Sequence, residues 1–501
     1  MRSLLDTPTQ RRLNILEQLN QASGWINSNQ LAENNHASLR TINNDISYLR
    51  EHWYPKLIIE TSKKNGIRLK IQPNTHISLV YQHILKNSDA FRLLEAVFFD
   101  TTLSIEKWGE RLFISESSLY RITNDIAQII KLYGLNLEKK TCKIIGDDEF
   151  YVRFFYSNFF CEAHDMTEWP FPSDKKTTIE FVKRIIAHFN IAVDDRDLLD
   201  IAYVLNVSLV RQSQGFFITG YSDDLFTQQM KDSLHDSLDV LQPLADTYGV
   251  TLDEKVMTDL MFALYYHLIN WDSEEEYLFI SEQINQLLKN VRSVFDLTLT
   301  NELSSRIESY MTHLYLMHKV YPFPDYTIFN QHFYNAIAIR QLFPLMSLVI
   351  EKELIKLENS TNFPWHTDYY YVILYTLMIK WSDLPFLLEK KKEKVKVLVI
   401  SDFSSDHSEF LADMIENKFG QKAIVDNFTD SVIFLNDLPD DYFNAYDIIV
   451  STICSNSLPD EKLISIDNIP SDNNWREIRQ AINRTQKVND KVVNHLNKNY
   501  R

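Results

Sequence analysis

Arg40, Thr41, Asn43, Asn44, Ser47 and Arg50 share one face of a predicted helix, and their side chains suit the edges of base pairs. A guanidinium fork matches the two acceptors of guanine, and a carboxamide matches the acceptor and donor of adenine. Ser38, just ahead of them, is a residue type that caps helix N-termini. It follows Glu33 by five positions within Leu-Ala-Glu-Asn-Asn-His-Ala-Ser-Leu-Arg-Thr-Ile-Asn-Asn-Asp-Ile, residues 31–46. The same Glu-to-Ser spacing recurs at Glu110 and Ser115, within Trp-Gly-Glu-Arg-Leu-Phe-Ile-Ser-Glu-Ser-Ser-Leu-Tyr-Arg-Ile-Thr-Asn-Asp-Ile, residues 108–126. There the outward positions are Ser118, Tyr120, Arg121, Asn124, Gln128 and Lys131. Two helices capped in this way predict a tandem pair of helix-turn-helix units that read double-stranded DNA.

Each unit needs elements to aim its second helix. In the first, Thr7 is the expected N-cap, with Pro8 at the first helical position and Gln10 reaching back to the cap. Leu13, Leu16 and Leu19 follow until Gly24, and a short helix spans 28–34. Leu39, Ile42, Ile46 and Leu49 then recur at helical spacing as a buried stripe. Residues 57–71 read as strand, Asn65-Gly66 turn and strand, a wing with Lys63, Lys64 and Arg68 near its tip for phosphate contact. The second unit repeats the plan, with helices at 89–100, 104–112 and 115–133 and Leu119, Ile122, Ile126 and Ile129 facing inward. A hairpin at 135–145 with Lys139, Lys140 and Lys143 closes it. Helix-turn-helix folds also serve as packing modules, so DNA contact is the firmer expectation for the first unit.

Charge distribution supports this placement. The net charge is −17, yet residues 1–146 hold 19 Lys and Arg against 14 Asp and Glu, leaving 32 against 54 in the remainder. A basic leading region on an acidic body is the footprint of a DNA-reading end projecting from a bulk that repels phosphate.

Other classes are disfavoured. Nine glycines, none in a GxG, provide no phosphate-cradling loop, and HExxH, GxSxG and P-loop motifs are absent from the sequence. Three scattered cysteines, Cys142, Cys161 and Cys454, form neither a disulfide framework nor a zinc pattern. The expectation is a non-enzyme without cofactor or metal. No apolar run reaches the roughly 20 residues of a membrane span, and 1–10 lacks a signal-peptide core, so a cytoplasmic protein without membrane contact is expected.

The middle of the chain carries a duplication. Thr-Asp-Leu-Met-Phe-Ala-Leu-Tyr-Tyr-His-Leu (258–268) aligns with Thr-Asp-Tyr-Tyr-Tyr-Val-Ile-Leu-Tyr-Thr-Leu (367–377), and Leu205-Asn-Val-Ser208 falls on Tyr315-Leu-Met-His318 at nearly the same offset. Two similar helical domains are expected, at 170–290 and 291–392. The charged run 390–394 marks a boundary, after which a strand at 395–400, a helix at 410–419 ending at Gly420, strands near 422–428, 447–452 and 463–466, and a helix from Trp475 alternate. That alternation predicts a small parallel sheet with helices on both faces.

This order resembles the Mga/AtxA family of transcription regulators of low-GC Gram-positive bacteria, and Gly146-Asp-Asp-Glu-Phe-Tyr-Val-Arg153 resembles the family's link into its regulatory half. The resemblance implies a mainly α, multidomain chain. Its parts would be two winged helix-turn-helix domains (1–72 and 73–165), two all-helical domains like the phosphotransferase-system regulation domains (PRDs), and a C-terminal α/β domain (393–501) like the EIIB sugar-transport component. It further implies a homodimer or higher oligomer and control by phosphocarrier proteins acting on regulation-domain histidines. Mapped onto this chain, those positions are Ser208, His267, His318 and Thr376, leaving His267 and His318 as phosphorylation candidates. The phosphorylated cysteine of a working EIIB domain corresponds here to Ser401, flanked by Asp402 and Asp406, which implies a non-catalytic descendant. The alternative readings are an RNA-binding antiterminator with the same regulation domains, or a phosphotransferase-system component.

Overall fold

A computed structural model describes residues 1–486 except 23, 140–141, 190–193, 221–224, 270, 382, 391 and 440, with the backbone alone for 266–269. Lys140 therefore lies outside the described residues, as does the side chain of His267. Contacts divide the chain into two units, 1–279 with 310–338, and 280–309 with 339–501.

The first unit opens with α1 (Thr7–Gln21), capped by Asp6, whose carboxylate accepts the Thr9 N–H at 2.7 Å. The expected Thr7 cap is thus displaced by one residue, because the longer Asp side chain at 6 already satisfies the free amide. Gln10 donates to the Leu5 carbonyl instead. Next come α2 (Ser28–Asn34), capped by Asn27, and α3 (Leu39–Trp53), capped by Ser38. Ile42, Ile46, Leu49 and Trp53 form the buried stripe of α3, whereas Leu39, expected within it, is 45% exposed at the helix start. Strands β1 (Leu57–Ser62) and β2 (Gly66–Ile71) pair antiparallel. Their connection is the three residues 63–65, with Gly66 at φ +101° in place of a two-residue Asn-Gly turn. Glycine is required there because Ile26 bridges Ile67, and a Cβ on Gly66 would stand 2.1 Å from the Ile26 carbonyl oxygen.

A second winged helix follows: α4 (Ser78–Asn87), α5 (Asp89–Phe99), α6 (Ile105–Leu112), α7 (Glu116–Ile129), β3 (Leu135–Glu138) and β4 (Lys143–Gly146). The long helix expected to reach 133 tightens into a 3-10 turn at Ile130–Tyr133, which ends at Gly134 in the left-handed region. That tightening buries Ile130 and leaves Ile129 half-buried, although Ile129 was expected to face in. Helix α8 (Glu149–Ala163) carries large aromatics on nearly every side, the pattern of a helix surrounded by protein. Val152, Phe155, Tyr156, Phe159 and Phe160 join the core of the winged helices, while Phe150 and Phe154 join that of the next bundle.

Two sets of five helices succeed it. The first is α9 (Lys175–Ala187), α10 (Asp195–Ser213), α11 (Gln228–His235), α12 (Leu238–Thr247) and α13 (Glu254–Ile269). The second is α14 (Glu274–Phe295), α15 (Asn301–Val320), α16 (Gln331–Leu342), α17 (Pro344–Thr361) and α18 (Tyr370–Lys380), followed by α19 (Leu384–Lys390). The duplicated segments fall on the second and fifth helix of each set. The expected boundary between 290 and 291 falls inside α14, which runs unbroken from its acidic first turn at Glu274. That first turn complements the positive helix N-terminus, so the helix begins well before the expected boundary.

In the second unit, β5 (Val395–Ile400), α20 (Ser405–Phe419), β6 (Ala423–Asn427), β7 (Ile448–Ser451), β8 (Leu463–Ser465) and α21 (Asp472–Thr485) form a four-stranded parallel sheet of order β6-β5-β7-β8. Helices were expected on both faces. Instead α20 and α21 share one face, over Val395, Val397, Val399, Ile448 and Val450. The other face, with Leu398, Ile400 and Ile449, is covered by Phe428, Leu435, Phe443 and Leu458 from 3-10 turns and loops. Among the described residues between β6 and β7 there are only short 3-10 turns, at Val432–Asp437 and Tyr442–Ala445, and these supply the cover for that face. Helix α20 begins five residues ahead of the expected start, at its Ser404 cap, and Gly420 keeps an ordinary φ of −60°. Among the described residues no single helix is long and apolar enough to cross a membrane.

Candidate nucleic-acid interface

Helix α3 is fixed from behind and open in front. Asp45, on its inner side and 2% exposed, accepts the Nε–H of Arg11 at 2.6 Å and of Arg12 at 2.9 Å, both from α1. The Arg12 guanidinium also lies 3.6 Å above the ring of Tyr48, which stacks on His52 at 5.2 Å. His52 and Trp53 meet His83 of α4 edge-on, at 5.4 and 5.1 Å. These contacts set the rotation of α3 about its own axis, and with it the direction of the opposite face.

On that face Ser38, Arg40, Asn43, Asn44 and Arg50 are exposed, while Thr41 and Ser47 are half-buried. Ser38 is committed to capping: its Oγ accepts the Thr41 N–H at 3.1 Å and lies 2.9 Å from the Thr41 hydroxyl. Arg40, Asn43, Asn44 and Arg50 have no hydrogen-bond or ion-pair partner among the described residues. The structure therefore brings the sequence-predicted base-edge donors together on one solvated surface.

The wing divides its cations. Lys63 and Lys64 are exposed at the tip without a partner among the described residues. Arg68 points elsewhere, bonding Glu60 at 2.5 and 3.0 Å and lying 4.7 Å from the Trp25 ring centroid. Lys70 also pairs with Glu60, and these two cations hold that carboxyl below its usual range, Lys70 contributing most. Arg68 is a strut of the wing, and Lys63 and Lys64 remain exposed at its tip.

The second unit superposes on the first in sequence at a shift of 77, which aligns Ser38 with Ser115 and His36 with Phe113. Both turn residues adopt the left-handed region, at φ +49° and +58°, and Phe113 is 94% exposed. Tyr120, Arg121, Asn124 and Gln128 are exposed on α7, and Ser118 is half-buried, receiving the Ser115 hydroxyl at 2.9 Å. Asn124 is engaged by Lys139 of the hairpin at 2.7 Å, and Lys143 is half-buried. This face is less free than that of α3. Sequence reasoning missed Asp45, whose burial depends on arginines more than 30 positions away, and Phe113, whose backbone conformation has no local sequence marker.

The regulatory candidates differ in access. His318 is half-buried in the last turn of α15, and His267 lies on α13. Ser208 is fully buried with its hydroxyl given to the Val204 carbonyl at 2.7 Å, and Thr376 is 8% exposed. At the end of β5, Ser401 is 5% exposed and lies 2.7 Å from His407 Nδ1. His407 Nε2 faces the Asn468 carbonyl at 2.8 Å, so Nε2 carries the hydrogen and Ser401 donates to Nδ1. Ser401 also accepts the Phe403 N–H at 3.1 Å. Both hydrogen-bonding roles of this hydroxyl are filled. Asp402 is exposed and its carboxylate accepts from Thr452 at 2.7 Å; Asp406 is exposed in the first turn of α20.

Residues 11–68 match a helix-turn-helix domain family, and residues 73–160 match the Mga helix-turn-helix domain, which extends through most of α8. The chain is similar over most of its length to a protein of Streptococcus pneumoniae serotype 4 named as a trans-acting regulator, with 26% identity over 94% of this chain and 96% of the relative. It is 24% identical to the anthrax toxin expression trans-acting positive regulator of Bacillus anthracis, over 94% and 98% of the two chains. It is 22% identical to the capsule synthesis positive regulator AcpB of the same organism, over 95% and 98%.

Proposed function

We propose that this relative of the Mga/AtxA-type trans-acting regulators is itself a transcription regulator that binds duplex DNA through its first winged helix. In this reading α3 enters the major groove, Arg40, Asn43 and Asn44 meet base edges, and Ser47 and Arg50 flank them. Lys63 and Lys64 meet phosphates from the wing. The observation that carries the reading is the contrast across α3: a buried Asp45 locked by two arginines behind, and unpaired base-matching side chains in front. An exposed Arg and two Asn aligned without protein partners, on a helix whose rotation is fixed, are arranged for a ligand. Electrophoretic shift of genomic duplex fragments by the full chain, wild type against Arg40→Ala, tests it.

The second winged helix would add contacts through Ser118, Tyr120, Arg121, Asn124 and Gln128. The two five-helix sets are read as PRD-like domains that divide between α13 and α14, and the parallel-sheet domain as EIIB-like. Support comes from the positions of the duplicated segments within each set and from the strand order of the sheet. Phosphocarrier proteins would act on His267 and His318, each phosphate adding close to two negative charges. A homodimer or higher oligomer would form through the EIIB-like domain, where Phe403 and Phe410 are exposed on either side of His407. The committed hydroxyl of Ser401 argues against phosphoryl transfer there.

A further inference from the structure

The connection from α15 to α16, residues 321–330, is held into the protein at both ends, with Pro322, Pro324 and Asp325 exposed between them. Tyr321, Thr327 and Ile328 are 5%, 2% and 1% exposed, and Ile328 belongs to the core of the winged helices. A connection must satisfy its own backbone where it is buried. Here it does so on a single carboxylate: Glu162, near the end of α8, accepts successive N–H groups from Thr327 at 2.5 Å, Ile328 at 3.0 Å and Phe329 at 2.9 Å. Three consecutive amides aimed at one anion form an anion-binding concavity that is filled from within.

Around that anchor the segment touches both DNA-reading modules. Arg2 donates to the Ile328 carbonyl and pairs with Glu17 of α1. Phe329 stacks on Tyr81 of α4 at 4.0 Å, and the Tyr81 hydroxyl donates to the same Glu17 at 2.5 Å. At the other end Phe323 meets Tyr151 of α8 edge-on at 5.0 Å and Tyr133, just after α7, at 6.2 Å. A Cβ on Gly134 would come within 3.1 Å of Phe323.

We propose that residues 321–330 are a strap that fixes the first winged helix relative to the second, with Glu162 as its positioning residue. The strap thereby sets the spacing at which α3 and α7 meet DNA. The inference rests on the DNA-binding reading above and adds that both modules engage one duplex in fixed register. It also gives α15, whose His318 lies three residues before Tyr321, a physical path to the recognition helices.

The test uses the full chain as wild type, Glu162→Gln and Phe329→Ala. The probes are a duplex selected by the wild type from a random pool, the same duplex with about five base pairs inserted at its centre, half a helical turn, and a non-specific duplex. Wild type is expected to bind the inserted duplex about tenfold more weakly, a usual size for coupling between sites. Both variants are expected to lose that discrimination while keeping non-specific affinity. Equal binding of both selected duplexes by wild type, or full discrimination by a folded variant, overturns the strap. If Glu162→Gln fails to fold, Phe329→Ala decides, since it removes a stacking contact without touching the carboxylate. A wild type that binds no duplex at all overturns the underlying DNA reading instead.

Discussion

Arg12 of α1 donates to the buried carboxylate of Asp45, on α3, at 2.9 Å. With Arg11 on the other oxygen, Asp45 is the pivot about which the recognition helix is aimed. Replacing it by Asn leaves two guanidinium groups, each about a fifth to a quarter exposed, without their counter-charge. Because water still reaches both, Asp45→Asn is expected to cost about 2 kcal/mol, below the 3–5 typical of fully buried pairs. Chemical denaturation checks the loss, and specific DNA affinity should fall with it.

Arg40→Ala makes the complementary prediction. Arg40 is exposed and has no partner among the described residues, so its removal should leave stability within about 0.5 kcal/mol. Specific duplex affinity should fall by about 1–3 kcal/mol, with relaxed preference at one base pair. Binding-site selection with the variant reads both effects.

The wing lysines should behave differently from Arg40. Lys63→Ala and Lys64→Ala should weaken binding to all sequences alike, and each should lower the slope of log affinity against log salt by about one. Arg68→Ala should act on stability instead, through loss of Glu60 and Trp25 contacts. Titrations across salt concentration separate the two classes.

Features written in local signals were legible from sequence. Ser38 and Ser115 announced their helices, the spacing of Ile42, Ile46 and Leu49 gave the buried side of α3, and Gly66 marked the wing turn. Helix α4 was missed because its N-cap residue, Ile77, offers no side-chain cap. Helix α14 was split because repeat spacing alone places a boundary only coarsely. Asp45 reads in sequence as one more polar residue on a polar helix, and only α1 packing reveals it as buried. The strap has no sequence signature, since its partners Glu162, Tyr81 and Tyr133 come from elements more than 160 residues away.

Glu162 carries a pH signature. Burial pushes its carboxyl up to about 7 against the pull of its three N–H donors. An acid whose folded value lies above its unfolded one binds more protons when folded, so stability rises as pH falls through the folded value. The amino group of Met1, which donates to the Thr327 carbonyl at 2.7 Å and is lowered to about 6 by burial, titrates nearby with the opposite sign. Relative to Glu162→Gln, wild type should gain stability as pH falls from 8 to 6, roughly the window around this value. Denaturation midpoints at both pH values measure it, and a constant difference would contradict the assignment.

For regulation, phosphate from a phosphorylated phosphocarrier protein should label the wild-type chain, and label should vanish in the His267→Ala, His318→Ala double variant. Ser208 should stay unlabelled, its hydroxyl being sealed inside α10. His318→Ala alone should leave basal DNA affinity unchanged. Retention of label in the double variant would exclude both histidines.

The most direct test of the central claim is binding of the full chain at low ionic strength to its selected duplex and to a hairpin RNA of the same sequence. Wild type should bind the duplex tightly and the RNA weakly, with protection centred on bases whose contact is lost in Arg40→Ala. Undiminished binding by a folded Arg40→Ala, Asn43→Ala, Asn44→Ala triple variant, or equal affinity for the RNA, would contradict the account.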